Sequence, residues 1–162
     1  GNRMPAEPLF YERFFVYSGP HRPMPDKAYL LAEDIELEHL WLLEESHCLR
    51  SQVVQLCELK KNNSPQSGLH YASGSIESLL RMVDSYEGIT VLPELAILGW
   101  SEEKLTHVHP FAPPVPEREI SLVRKRKTHK NRITSALVGA IQSCLPSHIK
   151  SNTEERVIPI LL

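Results

Sequence analysis

Short apolar strands alternating with amphipathic helices predict an α/β layered fold with largely parallel strands. Strand-like runs occur at Phe10–Tyr17, Leu40–Leu43, Ile89–Leu92 and Ile120–Val123. Helical periodicity follows several of them, most plainly at Ile76, Leu79, Leu80 and Val83. Thirteen prolines against seven glycines interrupt the chain often and keep its elements short. No internal repeat is evident.

In chain order, Phe10 to Tyr17 is aromatic and β-branched and stops at Ser18-Gly19-Pro20, a strand and its turn. His21 to Asp26 carries two prolines and reads as loop. Ala32 to His39 reads as a short helix, with Ile35 and Leu37 apolar and acids around them. Leu40-Trp41-Leu42-Leu43 is a buried strand by its continuous apolar character. A helical pattern then runs from Ser46 to about Lys61, followed by a polar loop to Gly68 and a short strand at His70–Ser73. Ser75 is the N-cap of the next helix, which Glu87-Gly88 breaks. Pro93 stops the strand Ile89–Leu92, and Glu94–Leu98 is a turn or short helix. Thr106–Phe111 is an edge strand before Pro113, Pro114 and Pro116. The last helix spans Asn131–Leu145, with Ile133, Leu137, Ala140, Ile141 and Cys144 on one face.

The 162 residues are 41% apolar and 23% charged, enough for one globular domain or two small lobes sharing a core. A net charge of −2 argues against a free-standing nucleic-acid binder. The run Arg124–Lys127 reads as a solvated turn before a helix. No apolar stretch approaches the ~20 residues of a membrane span. The chain opens Gly1-Asn2-Arg3-Met4 without a signal segment, and reads as a fragment of something longer. Ser151 to Leu162 forms a tail whose apolar end docks on the domain or on a neighbour.

The three cysteines carry the most chemistry, and an odd count is not a secreted disulfide framework. Ser46, read as an N-cap, puts Cys48 in the first turn of its helix. Unpaired backbone N–H groups and the helix dipole favour an anionic sulfur there. His47 and Arg50 add positive character, whereas Glu44 and Glu45 act the other way if they face it. Cys57 lies nine positions on, which on a continuous helix means the opposite face and a rise of roughly 13–14 Å. A disulfide needs Cα atoms within about 7 Å, so the pair bonds only if the helix breaks. That would turn a chemical event into a shape change. The same residues admit two other readings. Cys57 continues an apolar set with Val53, Val54 and Leu56 and suits a core, as does Cys144. His47, Cys48, Cys57, His107 and His109 include metal-ligand types, although no Cys-x-x-Cys pair is present.

The segment Leu42-Leu43-Glu44-Glu45-Ser46-His47-Cys48-Leu49-Arg50-Ser51-Gln52, followed by Cys57, closely resembles the redox motif of the peroxide-sensing OxyR branch of the LysR-type transcription factor family. His21-Arg22-Pro23-Met24, Gly88-Ile89-Thr90-Val91-Leu92-Pro93 and Pro116–Val123 resemble that family's marks as well, and the likeness runs from about Leu9 to about Pro146. Ser46 stands where the family usually has glycine, and Ser51 where aspartate commonly follows the arginine.

The resemblance implies a two-lobed effector domain of periplasmic-binding-protein type. Residues 1–117 would be the second lobe, including a redox segment at 46–60. Residues 118–150 would return to a partial first lobe, and 151–162 would be a tail. The DNA-binding winged helix-turn-helix and the start of the first lobe would lie outside this sequence. The resemblance further implies that Cys48 is peroxidatic and Cys57 resolving, with His47 and Arg118 in the peroxide pocket. It implies a cytoplasmic bacterial activator that is no enzyme and holds no metal or cofactor. Its partners would be hydrogen peroxide, further copies of itself as dimer or tetramer, DNA through the absent domain, RNA polymerase and a cellular thiol reductant, but no membrane. The rival expectation within the family is an anionic metabolite held in the inter-lobe cleft by the helix starting near Ser75 and by Arg118. A thiol peroxidase is a third class, but the chain carries no peroxidase framework.

Overall fold

The computed structural model describes residues 6–44, 46–58, 70–124, 131–149 and 156–158. The expected loop from Lys61 to Gly68, Lys125–Lys127 of the basic run and most of the C-terminal tail lie outside these residues.

The long strand β1 (Ala6–Ser18) organises the molecule. Its second half pairs with β4 (Ile89–Pro93) and β5 (Val108–Pro110), and its first half pairs with β6 (Pro116–Val123). All three pairings are antiparallel, which corrects the expected largely parallel sheet. Parallel pairing is found where a helix makes the crossover. Strand β2 (Trp41–Leu43) leads through α1 (Cys48–Glu58) to β3 (His70–Ser73), and β2 pairs β3 in parallel. From β3 the chain enters α2 (Ile76–Ser85) and returns as β4. Helix α2 begins as expected, with the Ser78 N–H donating to Ser75 Oγ at 3.2 Å. A short helix, α3 (Glu102–Leu105), is capped by Ser101 in the same way. After β6 come α4 (Asn131–Cys144) and the two-residue strand β7 (Arg156–Val157), parallel to β6.

The segment Ala32–His39 is not one helix but two 3-10 turns, Ala32–Asp34 and Leu37–His39, with Ile35 extended between them. The reason is spacing. Leu30, Ile35 and Leu40 are all fully buried, and five-residue steps would fan apart on a continuous α-helix.

Two apolar cores flank the crossing strands. The larger joins Phe14, Val16, Ile35, Leu40, Leu79 and Leu92 with the buried side of α1. The smaller holds Leu9, Phe10 and Ile149, with Val138, Ile141 and Leu145 packed against it. Helix α4 therefore docks through Val138, Ile141 and Leu145. Ile133 and Leu137 are 66% and 50% exposed. Cys144, expected in a core, is also exposed. The helix carries two apolar stripes that share Ile141, and the sheet takes the one with Val138 in place of Leu137 and Leu145 in place of Cys144. No helix among the described residues is long and apolar enough to cross a membrane.

Candidate functional site around Cys48

Cys48 is the first residue of α1 and is exposed. The helix thus starts two residues after Ser46, and the residue before it is His47. The Arg50 N–H donates to the His47 carbonyl at 3.0 Å, and the His47 N–H to the Glu44 carbonyl at 3.0 Å. The expected place of Cys48 in the first turn stands, while Ser46 sits in the preceding turn.

Two side chains fix this corner. Arg50 Nη1 donates to the Leu43 carbonyl at 3.0 Å, closing the end of β2. His47 Nε2 lies 3.2 Å from the Gly74 carbonyl, one residue before the cap of α2. The N-termini of α1 and α2 and the ends of the parallel pair β2–β3 therefore meet within reach of one imidazole. Helix N-termini favour anions, and crevices at the carboxyl ends of parallel strands are where α/β proteins place ligands.

Cys57 stands at the other end of α1 and is 3% exposed, packed among the larger core. The buried side of α1 is Leu49, Gln52, Val53, Leu56 and Cys57, a 3–1–3–1 spacing that keeps one stripe inward. None of the three cysteines is in a disulfide. At 1.5 Å rise per residue the helix holds the two sulfurs' residues roughly 13–14 Å apart.

Arg118 is placed elsewhere. It lies on β6 directly across from Glu12 on β1. Arg118 Nη2 and Nε lie 2.6 and 2.7 Å from Glu12 Oε1, and the Leu95 N–H donates to Glu12 Oε2 at 3.0 Å. Glu12 has no exposed surface. The described partners of Arg118 are thus on the crossing ladder. Residue by residue, His47 and Cys48 come together at the head of α1, Cys57 lies at its foot, and Arg118 is anchored to Glu12.

Sequence reading passed over Glu12, yet the signal was there. Phe10, Glu12, Phe14 and Val16 alternate onto the buried side of β1, and an acid on that side needs a cation opposite. Gln52 also went unused, although a polar residue in the apolar stripe of a helix calls for a partner. Among the described residues no group of three or more His, Cys, Asp or Glu side chains is arranged to hold a metal.

Antiparallel crossing strands between two cores, with βαβ units on one side, define a class that comparison with known families identifies. The LysR substrate binding domain family matches residues 1–145, and the chain belongs to that family. Within it, the chain is 30% identical over 144 residues to the hydrogen peroxide-inducible genes activator of Haemophilus influenzae, covering 85% of this chain and 46% of that protein. It is 27% identical over 150 residues to the DNA-binding transcriptional dual regulator OxyR of Escherichia coli, covering 93% and 48%. The structure of reduced OxyR from Porphyromonas gingivalis superposes with a TM-score of 0.81 at 27% identity, covering 97% of this chain and 71% of that one. The chain spans about half the length of the curated relatives it matches. These likenesses establish the expected fold of a type II periplasmic-binding-like LysR effector domain and the resemblance to peroxide-responsive regulators.

Proposed function

We propose that this chain is the redox-sensing regulatory part of a LysR-type transcription activator, with Cys48 and Cys57 as a peroxide-driven disulfide switch. The observation that carries the proposal is one helix with an exposed thiol at its head and a buried thiol at its foot. A sensor cysteine must meet its oxidant, and a resolving cysteine held in a core delays the second step until the helix gives way.

The chemistry runs in two steps. The Cys48 thiolate attacks one peroxide oxygen and the O–O bond breaks. The departing hydroxide takes a proton and leaves as water, and the sulfur, oxidised by two electrons, becomes a sulfenic acid. The Cys57 thiolate then attacks that sulfur. The S–S bond forms, the S–O bond breaks, and a second water leaves. A cellular dithiol returns the two electrons. His47 flanks the reacting sulfur, whereas Arg118, paired with Glu12 on the crossing ladder, is a pocket residue in this reading by resemblance alone. One turn per reset makes this a sensor and not an enzyme.

Residues 1–117 form the second lobe in this reading, 118–150 the return to the first lobe and 151–162 a tail. Oligomers of the parent protein, its DNA, RNA polymerase and a cytoplasmic thiol reductant are the partners that the relatives' regulatory role supports. The test is peptide mass spectrometry after mild peroxide, done with Cys144→Ser because Cys144 is exposed. A fragment linking Cys48 to Cys57 is expected. Cys48→Ser abolishes it, and Cys57→Ser leaves a sulfenic acid that a dimedone-type reagent traps. A Cys48→Ser chain that still responds to peroxide rejects the assignment.

A further inference from the structure

We propose that strand β7 and the residue after it, Ile158, form a latch on α1, in which Ile158 and its hydrogen bond from Gln52 hold the helix wound and set how readily Cys57 reaches Cys48. The inference rests on the disulfide-switch reading and adds its control element.

Gln52 is the polar member of the buried stripe of α1 and is 1% exposed. Its Nε2–H donates to the Ile158 carbonyl at 2.9 Å, across 106 positions of sequence. The Ile158 N–H in turn donates to the Glu117 carbonyl at 2.7 Å, beside the parallel β6–β7 pairing. The Ile158 side chain is 2% exposed and belongs to the same core as Leu49, Val53, Leu56 and Cys57. The crossing strand therefore holds the tail, and the tail holds the helix.

The place of the grip matters. Gln52 lies four residues after Cys48 and five before Cys57. Any unwinding that brings the two sulfurs together passes through this residue, and cannot leave its side chain seated on Ile158. The grip is also incomplete. Gln52 Oε1 is buried and has no hydrogen-bond partner among the described residues. Gln52, Val157 and Ile158 border a cavity of about 500 Å³. A buried, unanswered amide oxygen means that the seated state is held by one of the two polar ends available. Such a contact restrains the helix without locking it.

The test uses the reduced full chain. Gln52→Met keeps side-chain length and helix propensity but removes the donor. Ile158→Ala keeps the strand backbone and removes the packed side chain. Hydrogen exchange read by mass spectrometry should show α1 amides exchanging about fivefold faster in Gln52→Met, the factor for loss of one ordinary hydrogen bond. Ile158→Ala should have the larger effect, with β1 and β4 unchanged in both. After peroxide, the Cys48–Cys57 bond should form faster by a similar factor. Unchanged α1 exchange in both variants overturns the latch, whatever peroxide does. An equal rise in β1 and β4 overturns it too, because the effect is then global. If α1 loosens in the variants and no disulfide forms in any of them, the latch stands and the redox reading falls.

Discussion

His109 shows how a single side chain ties stability to pH. It sits on β5 opposite Val16, with its Nε2 3.3 Å from Ser18 Oγ. Burial, reinforced by the neighbouring His107, lowers its pKa from the ordinary value of about 6.5. A base with a depressed folded-state pKa takes its proton more readily in the unfolded chain. Its contribution to stability is therefore present above about pH 6.5 and lost as pH falls below it toward the folded-state value. Urea midpoints at pH 7.5 and pH 5.5 should differ in the native chain, with the lower at pH 5.5. His109→Gln, which does not titrate, should narrow that difference. An identical pH dependence in the variant would exclude His109 as a source. Glu12 marks the other extreme of residue-level design. Its charge is fully buried but met by the Arg118 guanidinium and the Leu95 N–H, so its burial is compensated. Both features were partly legible in sequence: the acid by its place in an alternating strand, the His-x-His pair by its spacing. Neither partner was, because pairing across β1–β6 and β1–β5 joins positions about a hundred residues apart.

At the scale of elements, α2 is fastened to the end of β1 through close backbone approach. The Gly19 N–H donates to the Gly88 carbonyl at 2.9 Å. A Cβ on Gly19 would lie 2.2 Å from the Val83 carbonyl oxygen, which is backbone and cannot swing away. Gly19→Ala should therefore destabilise the chain by about 1–3 kcal/mol, as overpacking generally does. Chemical denaturation measures it, and a loss below about 0.5 kcal/mol, the range of ordinary surface substitutions, would contradict the contact. Helix α2 was read well because its signals are local, a serine cap and a 3–4 apolar spacing. Strand β4 was read well because a proline closes it. Helix α4 was read in the right place, but of the residues named on its expected face Ile141 packs on the smaller core while Ile133, Leu137 and Cys144 are exposed. Ile133, Leu137 and Cys144 form as regular a stripe as Val138, Ile141 and Leu145, and only the position of Leu9 and Phe10 decides between them. The sense of strand pairing failed for a similar reason. Periodicity tells strand from helix but carries no direction, and β1 is crossed by returning strands that sequence order does not announce.

Across the whole molecule, the proposed switch sets two large terms against each other. A Cys48–Cys57 bond closes a loop of about ten residues, which restricts the unfolded chain and stabilises the fold by about 3 kcal/mol. Forming it requires α1 to unwind, and Leu49, Val53, Leu56 and Cys57 leave the larger core. Each such side chain contributes about 1.5–3 kcal/mol when fully buried, so the four together outweigh the loop term unless most are reburied. Phe14 on β1 and Leu79 on α2 belong to the same core and would lose those contacts. The oxidised chain should therefore be the less stable form although it gains a covalent bond. Its melting temperature should fall on the order of 5–10 °C below that of the reduced chain, given roughly 2–4 °C per kcal/mol at this size. Thermal unfolding of the Cys144→Ser chain before peroxide, after peroxide and after dithiol reset measures this directly. The third trace should return to the first. An oxidised form melting at or above the reduced one would mean that most of the released side chains are reburied, and would overturn the predicted loss of stability.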